Sequence, residues 1–116
     1  MHENRQDPAS GEDAETYIRK ARHAIQRQDF DQAEEFLRRA LSLNDQQPAT
    51  HNLLGVLHEV RGERLEAQNS YRKALNLDVT YGPARANLRE SVEPHPKQSF
   101  MLAELKRSSF RNQDAV

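Results

Sequence analysis

Apolar residues recur at three- and four-residue steps through most of residues 12–110, the period of helices that bury one side. Tyr17, Ala21, Ala24 and Ile25, with Ile18 beside them, predict a first helix from about Glu12 to Gln28. Asp29 is placed to cap a second helix, and Gln32 three residues later completes a capping-box pattern. That helix runs from about Phe30 to Leu43 on Phe30, Ala33, Leu37, Ala40 and Leu41, and Asn44 and Asp45 stop it. Pro48 suits the first turn of a third helix, where its missing N–H would have had no intrahelical partner. Leu53, Leu54, Leu57 and Val60 give this helix its apolar side, Gly55 makes room for a close approach, and Gly62 ends it. The fourth, about Arg64 to Leu77, carries Leu65, Ala67, Tyr71, Ala74 and Leu75. Gly82 and Pro83 open a fifth on Ala84, Ala86, Leu88 and Val92, and Pro94 and Pro96 forbid its continuation. A last helical pattern covers Lys97 to about Phe110. Residues 1–11 are polar, contain Pro8 and Gly11 and show no helical period, so they are expected to be a disordered leader, with residues 111–116 a disordered tail.

These helices repeat at a spacing of 34 residues. Ala33 matches Ala67, Leu37 matches Tyr71, Ala40 matches Ala74 and Leu43 matches Leu77. In the same register Tyr17 matches His51, Ala21 matches Gly55, and Lys20 matches Leu54 and then Leu88. A unit of two short helices buries only one side of itself, so units of this kind complete an apolar layer by stacking. Residues 97–110 break the repeat, and an atypical helix covering an open stack end is the physical expectation there.

Composition narrows what such a stack does. Apolar residues are 35% of the chain and rich in alanine, below the usual ~45–50% counted with glycine, which suits a thin two-layer assembly of closely spaced helices. Seventeen Lys and Arg against eighteen Asp and Glu leave a net charge of −1, without the basic excess that draws a protein to nucleic acid or an anionic membrane. With no cysteine, disulfides, thiolate catalysis and cysteine-ligated metals are excluded. The first thirteen residues hold four carboxylates and no apolar run, so no secretory signal is expected there, and no stretch is apolar for the ~18–20 residues that cross a bilayer. The expectation is a cytoplasmic protein without membrane insertion.

Taken together, these positions make the chain resemble the tetratricopeptide repeat family. The first unit, about Ala14 to Gln47, carries the family's small first-helix residue at Ala21, then Phe30 after the turn, Ala33, Leu37 and Ala40. The second, about Pro48 to Tyr81, shows the Leu54-Gly55 pair, Gly62 at the turn, Ala67, Tyr71 and Ala74. Leu77 to Tyr81 resembles the inter-repeat link, with Val79 where proline is usual. A third unit keeps only its first helix, with Arg89 in place of the small residue. Lys20 stands in a usually apolar slot and His51 in a usually aromatic one. The resemblance implies an all-α, right-handed α-solenoid of antiparallel helix pairs, about two and a half repeats with a C-terminal capping helix, in a domain spanning residues 12–110. It also implies a concave groove, lined by first helices, that binds a peptide or partner helix without catalysis or cofactor.

Carried by position, the groove-lining residues are Ile18, Arg19, Arg22 and Gln26, then Asn52, Val56, Glu59 and Val60, then Ala86, Asn87 and Glu90. Chaperone-adaptor members clamp a partner's C-terminal carboxylate with lysines and asparagines. Here Ile18, Leu53 and Pro83 occupy three of those places, so that clamp is largely missing, while Arg22 retains a planar fork suited to a carboxylate. Of the histidines, His51 and His58 are two helical turns, about 10 Å, apart, too far to share one zinc easily, and His51 is expected to be a packing ring. Glu34–Arg38 and Glu35–Arg39 have the spacing of helix-stabilising pairs. No phosphate-binding glycine loop or catalytic constellation stands out. The function expected is a non-enzymatic protein-interaction module or adaptor. The alternative is a self-associating, homodimeric scaffold that uses the stack end, with Phe100, Met101, Leu102 and Leu105 as the contact, the same residues that would otherwise form the intramolecular cap.

Overall fold

A computed structural model describes residues 12–93, which form five α-helices and, among the described residues, no strand. They are α1 (Ala14–Gln26), α2 (Phe30–Leu43), α3 (Pro48–Val60), α4 (Arg64–Leu77) and α5 (Gly82–Val92). The chain divides into two compact units, one ending at Gln46 and one beginning at Gln47. The expected leader, the expected tail and the helix carrying Phe100, Met101, Leu102 and Leu105 lie outside the described residues.

In the first unit α1 and α2 pack as a helical hairpin. Asp13 starts α1 by accepting a hydrogen bond from the Thr16 N–H at 2.9 Å, satisfying one of the amides that the first turn leaves open. The helix is shorter than its apolar pattern suggests because Gln28 takes a left-handed backbone, φ 63°. There the Asp29 N–H reaches back to the Ala24 carbonyl (2.8 Å) and the Gln28 N–H to the Ile25 carbonyl (2.9 Å), the two bonds of a Schellman end. Asp29 then caps α2, accepting from the Gln32 N–H at 3.4 Å. Ala21, Ala24, Ala33, Leu37 and Ala40 are sealed between the helices, and four small side chains among these five let the backbones approach. Outside, Arg38–Glu34 (2.9 Å) and Arg39–Glu35 (3.1 Å) form at the expected spacings, where solvent screening leaves each a small contribution. Lys20, in its apolar slot, puts its ammonium 5.7 Å from the ring centres of both Tyr17 and Phe36 and 3.3 Å from Glu12. Its aliphatic stem covers apolar surface while the charge stays partnered.

The second unit repeats this construction and adds α5. Gly62 (φ 81°) stands 34 residues after Gln28, and the same two bonds recur, Glu63 N–H to His58 carbonyl (2.8 Å) and Gly62 N–H to Glu59 carbonyl (3.0 Å). Glu63 occupies the N-cap of α4, but its carboxylate pairs with His58 Nδ1 at 2.7 Å instead of capping. Across the α3–α4 seam Gly55 faces the fully buried Tyr71 ring so closely that any Cβ would fall within 2.5 Å of Cδ1 and 2.9 Å of Cζ. At the end of α4, Asp78 accepts from the Thr80 N–H (3.0 Å) and hydroxyl (2.7 Å), closing the turn before α5. Helix α5 packs on α4, where Gln68 Nε2 donates to Ser91 Oγ at 3.3 Å, and also reaches α3. Leu65 is not part of the apolar side expected of α4: it is 71% exposed, because two residues before the buried Ala67 is roughly 200° around a helix.

Candidate functional site

The first helices of the repeat units were expected to present partner-binding residues. In the first unit Ile18 is buried in the packing of α1, Arg22 is half-buried, and Arg19 and Gln26 are exposed. In the second unit Asn52, Val56 and Asn87 are fully buried, Glu59 is 9% exposed, and Val60, Ala86 and Glu90 are half-buried.

The structure brings two of these residues into contact. Asn87 Nδ2 on α5 donates to Asn52 Oδ1 on α3 at 3.2 Å, a buried side-chain bond that ties the two helices together. Helical spacing sets the neighbours of this bond. Val56 and Glu59 follow Asn52 by four and seven residues on one side of α3. Glu90 and Ser91 follow Asn87 by three and four on one side of α5. The shared α3–α5 face is therefore polar at its centre and acidic towards the C-terminal ends of both helices. On this face Glu59 Oε2, Glu90 Oε1 and Asn87 Oδ1 are buried with no hydrogen-bond partner. Such atoms are uncommon in folded proteins because each forfeits its hydration without replacement.

Ser91, buried four residues after Asn87 and bonded to Gln68 of α4, was missed as a member of the polar side of α5. The 34-residue register offered a signal, since Asn52 and Glu59 stand where the first unit has the aliphatic Ile18 and Ile25. Two polar substitutions on one stripe of an otherwise apolar repeat mark that stripe as different.

The histidines take separate roles. His51 is buried at the position equivalent to Tyr17, whereas half-buried His58 pairs with Glu63 across the turn. No group of three His, Cys, Asp or Glu side chains with metal-binding geometry occurs among the described residues. Nor is any helix there long and apolar enough to cross a membrane.

A family model described as tetratricopeptide repeat matches residues 14–47, which is α1, the Schellman turn, α2 and the link that follows. Residues 14–47 are a tetratricopeptide repeat. Neither the curated proteins nor the solved structures compared with the chain give a match. The tetratricopeptide repeat generally mediates protein–protein interaction and is typically non-enzymatic. Beyond the matched residues, α3 and α4 reproduce its turn, its small-residue seam and its spacing.

Proposed function

We propose that this chain is a non-enzymatic adaptor that receives a peptide or partner helix on the first helices of its repeats. The observation carrying this reading is the α3–α5 face within the second unit, where two helices equivalent to a repeat's first helix lie side by side and hold buried polar groups that the unit itself leaves unsatisfied. A framework that only needed to be stable would gain by filling these places with aliphatic residues, as the first unit does at Ile18 and Ile25. The second helices instead give their buried side to the seam through Ala67, Tyr71 and Ala74, and turn Arg72 and Lys73 outward.

The affinity expected of this interaction is roughly micromolar, about −8 kcal/mol. Backbone amide NMR of the full chain with its native partner is the test. Shifts concentrated on α3 and α5 are the expected result. Shifts confined to α2 and α4 would remove the first helices from the interaction.

A further inference from the structure

The unsatisfied atoms on the α3–α5 face share one chemical need. Glu59 Oε2, Glu90 Oε1 and Asn87 Oδ1 are acceptors, and the Asn87 amide is oriented by the bond its Nδ2 already donates to Asn52. The face therefore lacks donors. Both carboxylates also sit in the last turn of their helices, Glu59 in α3 and Glu90 in α5. Carbonyl groups concentrate negative potential at a helix C-terminus, which disfavours an anion there and favours a cation. Glu59 is 9% exposed and stands where the first unit buries Ile25, so a carboxylate has been placed where the fold itself favours an aliphatic side chain.

Among side chains that stay charged at neutral pH, lysine and arginine bring several donors, a positive charge and no acceptor. We propose that the α3–α5 face binds a lysine or arginine side chain of a partner polypeptide, with Glu59 and Glu90 as its charge partners and the Asn52–Asn87 pair as the floor beneath it. The half-buried Val60 and Ala86 flank the face and suit the aliphatic stem of such a residue. This assignment rests on the first-helix reading above and specifies its chemistry. It is opposite in sign to a groove that clamps a terminal carboxylate.

The test uses the full chain and three acetylated, amidated nonapeptides of leucine and alanine that differ at two positions: arginine, its neutral isostere citrulline, or glutamate. The arginine peptide should shift the Asn52 and Asn87 side-chain amide resonances. Citrulline should weaken binding at least about tenfold, as should Glu59→Gln or Glu90→Gln, since charge-assisted hydrogen bonds are lost. Far-UV circular dichroism of each variant checks the fold, and Glu90→Gln alone decides the matter if Glu59→Gln is unfolded. Absence of arginine-peptide binding, equal binding of the citrulline peptide, or unchanged affinity in the variants overturns the proposal. If the glutamate peptide binds best and moves the same resonances, the docking face stands and its cationic assignment falls. If the arginine peptide moves only α2 and α4, both fall. A Lys106→Gln/Arg107→Gln variant that shifts the Asn52 and Asn87 amides without peptide would assign the face to the chain's own cations and overturn the partner version.

Discussion

Gly55 and Tyr71 occupy the places held by Ala21 and Leu37 one repeat earlier, so the chain contains two solutions to the same packing problem. A small residue on the first helix is matched to a large one on the second, and the smaller Gly55 accompanies the larger Tyr71. Gly55→Ala breaks that match. The added methyl would meet the ring 2.5 Å from Cδ1 and 2.9 Å from Cζ, where ordinary contact begins near 3.4 Å, so the ring must move by about 1 Å. Tyr71 is fully buried, and a rigid ring there has no free volume to enter. Overpacking of this kind costs about 1–3 kcal/mol, and the helix preference for alanine over glycine returns about 1 kcal/mol. The severity of the overlap places the net loss near 2 kcal/mol, visible as a urea midpoint lowered by about 1 M in unfolding followed by far-UV circular dichroism. Tyr71→Leu alone should lose about 2 kcal/mol by leaving space beside Gly55. The double variant, which copies the first repeat's pair, should be more stable than the two losses added together by about 1–2 kcal/mol. Losses that add to within about 0.5 kcal/mol, or a Gly55→Ala protein more stable than its parent, would refute the size-matching account.

The equivalent turns give a second comparison: Gln28→Gly should stabilise the first unit by about 0.5–1 kcal/mol by relieving a left-handed non-glycine residue, while Gly62→Ala should destabilise the second by about as much, and opposite shifts in thermal midpoint are the check. Acid stability supplies the third. Asp13 is held below the usual aspartate range chiefly by the Thr16 backbone N–H, and Asp78 chiefly by the Thr80 hydroxyl and then its N–H. Because both folded values are depressed, their contribution is present above the unfolded value near 3.8 and is lost as pH falls through the lower folded values. Asp13→Asn/Asp78→Asn should therefore flatten the decline in stability below about pH 4, and an unchanged acid limb in urea titrations would count against both turns.

Periodicity alone located α2 and α4 to the residue and placed Ala21, Ala33, Leu37, Ala40, Ala67, Tyr71 and Ala74 in buried seams. It succeeded because a 34-residue recurrence makes each position report twice, and a helix that buries one side must repeat its apolar residues every three to four positions. Helix ends were less legible. The left-handed turn at Gln28 carries no glycine to announce it, and only alignment with Gly62 reveals the shared backbone. Leu65 looked like core by its composition, yet its angular position turns it to solvent. The α3–α5 face was legible as a set of residues on first helices but not as an environment. Tertiary structure decided that Asn52 and Asn87 would meet, that Glu63 would leave its cap for His58, and that Glu59, Glu90 and Asn87 would each bury a polar atom without a partner. Local preferences act over a few residues and are written along the chain, whereas desolvation and pairing depend on what a neighbouring helix brings to within about 3 Å.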